Sequence, residues 1–512
     1  MNKSKVKFTF LNTTTAVAIQ FFNIFAKFFV QALFIRYLGI EYTGINGLFT
    51  NVLTLLSFAE LGIGEAILVV LYKAVSGNDK ENIAGLMRLY KKIYNYIGIF
   101  IAFAGLLLIP FLRFIIKDNH VPDIVPIYLL FLANTVSSYF FTYKRSLLFA
   151  DQKDYQSKIN MFIFQLIQYA VQIVILIVFR MYIPFLIVFI ASTFLSNYFI
   201  SRKVDRDYPY IKGYKNYKVP KEDIERIKSN TKEMIGAKAG SVILNGMDNI
   251  LVSAFLGLSQ VGIFSSYNLI TVNIRTMLAG FISGATASIG NLAHESDDKT
   301  KIEDVLYKHL KISFIVVFFG AVYLMNLVNP FISIWIGPEF SLSLFTLSII
   351  VINFALQLWR LTPLSFISAL GTYQFNGVKS IIEALINAAL SWILLKYTSM
   401  GIAGTVLGTL FVNMIINSWW EPFQIYRLFF KKSFKNYYIL YLTRLSLIVL
   451  SVYGSMFLHT VIVFRSHYAQ FAFGFFVASA LFASITFIFS RNEVTLIFSM
   501  IKRLIDKSHS SA

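Results

Sequence analysis

Long apolar stretches alternate with short polar segments along nearly the whole chain. Crossing about 30 Å of hydrocarbon takes roughly 20 helical residues, and fourteen stretches of this sequence are long enough. These predicted spans lie near residues 10–38, 45–72, 86–113, 124–149, 158–180, 183–202, 233–256, 262–292, 305–328, 341–369, 378–397, 401–420, 438–458 and 467–489. The pattern predicts an all-α polytopic membrane protein with about 14 transmembrane helices.

The overall composition agrees with that prediction. Hydrophobic residues make up 57% of the 512 residues and charged residues only 14%, whereas soluble domains carry about a quarter charged residues. The first apolar stretch follows a basic start and runs to Leu38. Because it is too long for the core of a cleavable signal, we expect a retained first span. This balance is not that of a soluble multidomain enzyme.

Basic residues outnumber acidic ones by 46 to 26, which gives a formal charge of +20. With the N-terminus placed inside, 36 of them fall in inner segments, 5 in outer connections and 5 within spans. This is the positive-inside bias of a multi-pass protein of the bacterial cytoplasmic membrane with both termini cytoplasmic. Since the basic excess has a topological cause, no nucleic acid is expected as a partner.

An internal duplication appears at an offset of 218 residues. It pairs Leu38-Gly39 with Leu256-Gly257, Gly44-Ile45 with Gly262-Ile263, Asp79 with Asp297, and Tyr155-Gln156 with Tyr373-Gln374. Each repeat carries six spans, so both copies enter the membrane in the same sense. We therefore predict two parallel repeats related by a pseudo-two-fold axis, with a substrate path between them. Two lobes packed for stability alone are the simpler alternative.

The repeats define the predicted domains. An N-lobe of helices 1–6 covers residues 1–202, and a C-lobe of helices 7–12 covers residues 233–420. The basic cytoplasmic linker 203–232 is the longest polar stretch, and proline and glycine interrupt it. We expect it to be a surface linker with a short amphipathic helix, either resting on anionic lipid headgroups or forming a solvated tether. Residues 421–512 hold helices 13 and 14 and a basic cytoplasmic tail.

Charged side chains within spans are the strongest candidates for function. Burying them in hydrocarbon costs several kcal/mol, so they usually face a cavity or a partner. Lys27, Glu60, Asp248 and Arg275 lie deepest, on spans 1, 2, 7 and 8. For Lys27 and Arg275 we favour contact with an anion in a hydrated cavity. Structural salt bridges with Glu60 or Asp248 are the alternative.

Three further charges lie nearer the ends of spans. Arg360 would contact an anion near the inner entrance, and Glu383 joins Glu60 and Asp248 as a carboxylate for a salt bridge or ion coupling. Arg36 lies close to the outer face, where snorkelling to the interface competes with a role as an anion contact.

The deep charges do not follow the duplication. At the offset of 218, Glu60 pairs with Leu278 and Arg275 pairs with Ser57. Charges that only locked a symmetric helix interface would be expected to recur in both copies. Their asymmetry favours one asymmetric substrate.

Glycines lie beside Glu60 in span 2. Gly62 and Gly64 belong to the segment FAELGIGEA, where they predict a hinge or local unwinding. Close helix packing is the alternative explanation for these glycines.

Motifs of soluble enzymes are missing from the sequence. No GxxxxGK[ST], HExxH or GxSxG motif occurs, and the 6 His are not clustered. Cysteine is absent, which removes disulfides and Cys-based metal sites. We therefore expect no catalytic residue, metal or cofactor, and a protein that is not an enzyme.

Several segments resemble a known family when taken in order. They are FIRYLGIEYTGINGLFTNVLTLLSFAELGIGEAI at 34–67, Asp79-Lys80 before MRLYKKIY, RSLLFADQKDYQSK at 145–158, and SRKVDRDYPYIK at 201–212. They look like bacterial capsular or O-antigen oligosaccharide flippases of the multidrug/oligosaccharidyl-lipid/polysaccharide exporter (MOP) superfamily. The resemblance covers nearly the whole chain and is most specific across 34–67.

The resemblance implies two six-helix lobes around a central cavity that opens alternately inward and outward. It implies a lipid-linked oligosaccharide substrate on undecaprenyl diphosphate, moved to the outer leaflet for capsule, O-antigen or other surface polysaccharide. It also implies a monomeric transport unit, in contact with membrane lipids, that would work with a polysaccharide polymerase and chain-length regulators. In related lipid II flippases the last two helices help to form a groove for the polyprenyl tail. Spans 1, 2, 7 and 8 border the cavity in such folds.

Two other functions stay open. A multidrug or cation antiporter of the same fold would need a net acidic cavity and usually has 12 spans, which the mixed charges and two extra spans disfavour. A membrane polysaccharide polymerase or lipid-dependent glycosyltransferase would need a large outer loop with carboxylates or arginines. The longest loop of this chain is predicted to lie inside.

Overall fold

The computed structural model describes residues 3–60, 62–117, 121–284, 286–295, 298–372 and 376–495. Every regular element in this part of the chain is an α-helix or a short 3₁₀ or π turn. Within lipid a helix satisfies all its backbone polar groups inside its own segment, which is why long apolar stretches fold this way. The prediction of an all-α protein is confirmed.

Twenty α-helices follow one another in the described residues. They are α1 (Lys3–Leu38), α2 (Ile40–Leu56), α3 (Ile63–Ser76), α4 (Lys80–Leu108), α5 (Leu112–Ile115), α6 (Ile124–Thr142), α7 (Arg145–Ala150), α8 (Asp154–Val174), α9 (Tyr182–Asp207), α10 (Lys221–Leu256), α11 (Leu258–Ser283), α12 (Thr286–Glu295), α13 (Lys299–Trp335), α14 (Leu344–Trp359), α15 (Leu361–Leu370), α16 (Asn376–Tyr397), α17 (Ile402–Val412), α18 (Ser418–Gln424), α19 (Lys435–Val461) and α20 (His467–Phe489).

Thirteen helical segments of the described chain are long and apolar enough to cross a membrane. The chain is accordingly a multi-pass membrane protein. The predicted span at 45–72 is not among the thirteen, because the chain forms two shorter helices there, α2 and α3. Together these two helices cover most of the second predicted span, 45–72.

Some predicted spans were wrong in their bounds. The fourth does not continue to residue 149, because α6 ends at Thr142 before the charged pair Lys144-Arg145. The twelfth runs on to Phe430, whereas the eighth is confirmed as one long span, Leu258–Leu292. The predicted division between the fifth and sixth spans is confirmed, since Arg180 has a φ of 51° between two helical segments.

The chain divides into two compact units. Unit 1 comprises Met1–Ser265 and Asn376–Leu385, and unit 2 comprises Ser266–Phe375 and Ile386–Ala512. Unit 1 therefore includes the predicted N-lobe, the linker and the seventh span. The predicted lobe bounds stay a prediction.

The internal duplication has a structural counterpart at two helix corners. Gly39 stands between α1 and α2 with a φ of 96°, and Gly257 stands between α10 and α11 with a φ of 88°. Positive φ favours glycine at both positions, and the two are equivalent at the offset of 218. The same corner is thus built twice. Asp297 and Tyr373-Gln374, from the other matched pairs, lie outside the described residues.

Within unit 1 the two corners approach each other through equivalent atoms. A Cβ added to Gly44 would lie 2.0 Å from the carbonyl oxygen of Leu258, and one added to Gly262 would lie 2.2 Å from that of Ile40. Positions 44 and 262 are equivalent at the offset of 218, and so are 40 and 258. Reciprocal contacts of this kind define a two-fold axis. The close approach explains why neither glycine carries a side chain.

Gly47 lies beside that axis. A Cβ there would lie 2.4 Å from the hydroxyl oxygen of Ser265, which is the equivalent of position 47 itself. A residue that faces its own equivalent lies next to the axis that relates the two. The predicted pseudo-two-fold relation is therefore present where the helices α2 and α11 begin.

The linker 203–232 docks on unit 1. Arg88 of α4 donates from Nη2 to the carbonyl oxygen of Tyr214 at 2.7 Å. Asn82, also on α4, donates to the carboxylate of Asp223 at 2.8 Å. Residues 221–232 continue without interruption into α10. The linker is not a solvated tether, because it hydrogen bonds to α4. Its last part is helical, and that helix continues into α10 instead of ending within the linker. Contact with anionic lipid headgroups stays a prediction.

Near the start of the linker, Tyr208 donates to the carboxylate of Asp151 at 2.6 Å. Burial and the adjacent carboxylate raise the pKa of Tyr208, so its hydroxyl stays protonated and acts as the donor. Asp205 accepts from Lys144 at 2.6 Å and lies 3.0 Å from Lys212. These contacts tie the start of the linker to the residues on either side of α7.

The two C-terminal helices, α19 and α20, pack against α13 in unit 2. A Cβ on Gly474 of α20 would lie 2.4 Å from the carbonyl oxygen of Asn326 on α13. The hydroxyl oxygens of Tyr323 and Ser479 are 2.9 Å apart, and Asn326 donates to Ser455 of α19 at 3.0 Å. These helices are therefore an integral part of unit 2.

Candidate functional site

The second predicted span is interrupted next to its carboxylate. A 3₁₀ turn, Ser57–Ala59, follows α2 and precedes Glu60. Gly62 has a φ of 79°, and a Cβ there would lie 2.8 Å from the Cβ of Met234. Both the backbone conformation and the available space therefore require glycine. The local unwinding predicted here is present, and its use as a hinge stays a prediction.

Tyrosine hydroxyls surround the carboxylate of Glu60. Tyr94 donates to Oε1, and Tyr139 donates to Oε2 at 3.2 Å. The hydroxyl of Tyr90 lies 3.4 Å from that of Tyr94 and accepts from Ser146 at 3.2 Å. These five residues form one hydrogen-bonded group within unit 1, which we call the Glu60 cluster.

Gly64 makes room for the Glu60 cluster. A Cβ on Gly64 would lie 2.4 Å from the hydroxyl of Tyr94 and 2.9 Å from that of Tyr90. Tyr90 and Tyr94 are four residues apart, so both project from one face of α4. Close packing is thus the observed role of Gly64.

The cluster stabilises a carboxyl group without a cation. Hydrogen bonds to an ionised carboxylate are about twice as strong as those between neutral groups, and they offset the cost of burial. In the described part of unit 1, Glu60 forms no ion pair with Lys27 or with any other cation. Its charge is left to be balanced by a proton, a cation or a ligand.

Asp248 lies on α10 within a polar seam of unit 1. Its Oδ1 is buried without a hydrogen-bond partner in the described residues. The same holds for Asn249 Oδ1 and Ser253 Oγ on the same helix, and for Thr43 Oγ1 on α2, against which α10 packs. Leaving such a group unsatisfied costs about 1–3 kcal/mol. These atoms therefore lower the stability of the unit unless a ligand or water satisfies them.

Helix α1 presents two exposed cations. Lys27 and Arg36 both have exposed side chains. In the part of unit 1 that the structure describes, Lys27 is not paired with Glu60 or Asp248, so those predicted salt bridges are not formed there. An exposed cation that its own unit does not neutralise is able to bind an anion.

Arg275 has a neutral partner in unit 2. It projects from α11 and donates from Nη1 to Oε1 of Gln357 on α14. An amide oxygen holds the guanidinium in place but leaves its charge uncompensated. Gln357 is equivalent to Tyr139 at the offset of 218. Tyr139 of the fourth span hydrogen bonds to Glu60 of the second span. Gln357, at the equivalent position of the tenth span, hydrogen bonds to Arg275 of the eighth span.

Arg360 is compensated by a carboxylate that the sequence analysis did not single out. Its Nε lies 2.5 Å from Oε1 of Glu421, whose side chain is only 2% exposed. Trp359 stacks on Tyr441 beside this pair, with ring centroids 4.7 Å apart. The ion pair reduces the charge that Arg360 has left for a substrate anion.

Glu383 is likewise paired. Its carboxylate lies 3.0 Å from Nζ of Lys379, one turn earlier on α16, and the two side chains are 4% and 6% exposed. Glu383 is therefore a member of a buried ion pair.

The sequence did not point to Tyr94, Tyr139 or Gln357, the neutral residues that hydrogen bond to Glu60 and Arg275. Tyr94 and Tyr139 belong to a set of 28 tyrosines and do not stand out by composition. The spacing of Tyr90 and Tyr94 and the equivalence of Tyr139 with Gln357 are the signals that could have found them. No group of three or more His, Asp or Glu in the described residues is placed to hold a metal ion.

Comparison with known proteins identifies the fold. An inward-facing multidrug resistance MATE family transporter of the MOP superfamily matches with a TM-score of 0.64 and 17% identity, over 79% of this chain and 95% of that chain. The lipid II flippase MurJ, in an inward closed conformation, matches with a TM-score of 0.66 and 14% identity, over 94% of this chain and 100% of that chain.

A MOP superfamily transporter from Pyrococcus furiosus matches with a TM-score of 0.53 and 16% identity, over 83% of this chain and 96% of that chain. No family model matches the sequence, and no curated protein does. The protein is thus an all-helical membrane protein of the transporter fold found in MATE proteins and MurJ.

Proposed function

We propose that the protein is a flippase for undecaprenyl-diphosphate-linked oligosaccharide repeat units. It would move them from the inner to the outer leaflet of the bacterial cytoplasmic membrane by alternating access, for capsular or other surface polysaccharide. The superfamily resemblance of segment 34–67 and the fold shared with MurJ both support this proposal.

The observation that carries the proposal is the presence of α19 and α20. The match to MurJ covers 94% of this chain, whereas the matches to the two MOP transporters cover 79% and 83%. MurJ is described as a lipid II flippase. A chain with the same extra length and a similar fold fits a substrate of that chemistry better than a small cationic drug.

The uncompensated cations fit a diphosphate. Bringing negative charge into the apolar slab costs several kcal/mol, and charge-assisted hydrogen bonds from lysine and arginine offset this cost. Lys27 is exposed on α1, and Arg275 is held by a neutral amide. We assign the diphosphate contact to these two residues. Arg36 and Arg360 would act at the two ends of the path.

The transport cycle then has a simple physical outline. The diphosphate and sugars enter from the inner leaflet while the polyprenyl tail stays in lipid. Movement of the two lobes exposes the headgroup on the outer side. Glu60, Asp248 and Glu383 are the carboxylates available for coupling this movement to a proton or cation.

The test is transport by the purified full-length protein in liposomes. Lipid-linked oligosaccharide extracted from the producing cells should be translocated, and a cationic dye should not. Lys27→Ala and Arg275→Ala should slow translocation, while Lys396→Ala, which removes a cation predicted to lie in an outer connection, should not. Dye transport without oligosaccharide translocation would establish the multidrug antiporter instead.

A deletion strain separates the flippase from a polymerase. Loss of a flippase leaves complete repeat units on the inner leaflet, because they are made there and cannot cross. Loss of a polymerase leaves unpolymerised units on the outer side. The second result would contradict the proposal.

A further inference from the structure

A polar cavity lies within unit 2. It has a volume of about 270 Å³ and is formed by α13, α19, α20 and the 3₁₀ turn Pro338–Phe340. This size is near the lower end of ligand pockets, which run about 300–1,000 Å³. None of the charges discussed above lines it.

The lining has a distinctive chemistry for a membrane protein. Amide, hydroxyl and imidazole groups supply most of it, and no Asp, Glu, Lys or Arg side chain does so among the described residues. The polar lining residues include Asn326, Asn329, Ser333, His459, His467 and Gln470. A lining of this kind suits an uncharged, hydroxyl-rich ligand, because it offers donors and acceptors but no fixed charge.

One wall of the cavity is held rigid by its own hydrogen bonds. Asn326 donates to Ser455 at 3.0 Å, and its Oδ1 lies 3.0 Å from Nε2 of His459. Asn329 donates to the carbonyl oxygen of Leu342 at 2.7 Å and accepts from Tyr267 at 2.5 Å. These groups keep their positions whether or not a ligand is bound, which lowers the entropic cost of binding.

The opposite wall offers free hydrogen-bonding groups. His467 and Gln470 lie three residues apart on α20, so they share one face of that helix. Within the described chain, neither side chain has a hydrogen-bond partner. Pro330, Pro338 and Leu344 add apolar surface, which suits the carbon–hydrogen face of a ring.

We propose that this cavity binds a sugar ring of the transported oligosaccharide. The proposal rests on the proposed function and deepens it. The lining has no cation for the diphosphate, and it is too polar for the polyprenyl tail. In the predicted orientation the cavity lies at the outer ends of the ninth and thirteenth spans, so it would hold the sugar after translocation.

The absence of cysteine from the chain makes a direct test possible. Gln470→Cys introduces a unique thiol in the cavity of the full-length protein. We expect a membrane-impermeant maleimide to label it more slowly when a sugar occupies the cavity. Tyr468→Cys is the matched control, because this neighbouring side chain is 73% exposed and does not line the cavity. Its labelling rate should not change.

Three probes distinguish the sources of a hydroxyl-rich group, each with the purified protein in liposomes. Oligosaccharide released from its lipid should slow labelling of Gln470→Cys, whereas undecaprenyl diphosphate without sugar and phosphatidylglycerol should not. In a Gln470→Cys background, His467→Ala should raise the half-protecting oligosaccharide concentration about 2- to 10-fold, as expected for one neutral hydrogen bond. Protection by phosphatidylglycerol or undecaprenyl diphosphate alone would overturn the sugar assignment.

The two proposals fail in different ways. If the wild-type protein translocates lipid-linked oligosaccharide but released oligosaccharide gives no protection, the cavity assignment is wrong and the flippase stands. If the oligosaccharide protects but is not translocated in its lipid-linked form, the cavity binds sugar and the proposed function is wrong. Unchanged thermal unfolding of Gln470→Cys excludes misfolding as the cause of either result.

Discussion

In each repeat, a neutral side chain at the same equivalent position hydrogen bonds to a charged residue, an anion in the first repeat and a cation in the second. Glu60 in the first repeat accepts from Tyr139, and Arg275 in the second donates to Gln357. Positions 139 and 357 are equivalent at the offset of 218. Position 275 is equivalent to Ser57, three residues or about one helical turn from Glu60. The backbone has been duplicated and the charges have not, because Glu60 is equivalent to Leu278 and Arg275 to Ser57.

The kind of partner decides whether a charged side chain is able to bind a ligand ion. A charge held by a neutral hydroxyl or amide keeps its geometry and gives up no counter-ion when a ligand arrives. Arg360 and Glu383, which have ionic partners, lack that freedom. We therefore expect transport to depend on Arg275 more than on the ion-paired charges.

The helix paths differ between the repeats as well. Gly62 has a positive φ at the break between α2 and α3, whereas its equivalent, Gly280, lies inside α11. A Cβ on Gly280 would meet nothing within 4 Å. The unwinding at this position is thus a property of the first repeat.

The largest effect is expected from removing the cation of the second repeat. Arg275→Ala should slow oligosaccharide translocation about 10- to 150-fold, because a charge-assisted hydrogen bond contributes about 1.5–3 kcal/mol. Arg275→Lys should keep part of the rate, since it preserves the charge but loses the guanidinium geometry. The measurement is flipping per folded protein in liposomes. Full activity of the alanine variant would show that the cation of the second repeat has no role in transport.

Removing the anion of the first repeat should chiefly affect stability. Glu60→Leu leaves the hydroxyls of Tyr94 and Tyr139 without their acceptor, and we expect a loss of about 1–3 kcal/mol in the free energy of unfolding. Glu60→Gln keeps an acceptor and should lose less than half as much. Thermal unfolding in detergent compares the two variants. Equal stability of leucine and glutamine would mean that the tyrosine contacts contribute nothing.

The two equivalent glycines provide a matched pair. Gly62→Ala should destabilise the protein by about 1–2 kcal/mol through its positive φ alone, and more through contact with Met234. Gly280→Ala should be neutral or stabilising by up to about 1 kcal/mol, because alanine favours a helix. Both are measured by thermal unfolding. If the two substitutions had the same effect, the helix break would not distinguish the repeats.

The smallest effects are expected from the two neutral partners. Gln357→Ala and Tyr139→Phe each remove one hydrogen bond to a charge and leave the charge itself in place. We expect Gln357→Ala to slow translocation about 2- to 10-fold, which is the weight of one such bond. Tyr139→Phe should lower the unfolding midpoint slightly. A loss in Gln357→Ala as large as that in Arg275→Ala would make positioning the dominant role of this pair.

The sequence predicted the elements of this fold better than their interactions. Length and apolarity of a stretch are local properties, so thirteen spans could be found from them. The break beside Glu60 was also predictable, because glycine marks it. Tyr139 and Gln357 were not found, since they lie 79 and 82 residues from their charged partners. Such pairs are determined by how the helices pack, and the equivalence of positions 139 and 357 is their only signal in the sequence.

The reciprocal approach of Gly44 and Gly262 has a consequence for the history of the chain. Contacts between a residue and the copy of its own neighbour are those of a homodimer interface. In a dimer of identical six-helix chains, every substitution enters both subunits at once, so a charge cannot be present in one subunit and absent from the other. Two repeats in one chain are free of that constraint. Here Glu60 has Leu278 as its equivalent and Arg275 has Ser57, although the glycines keep the contacts between the two corners symmetric.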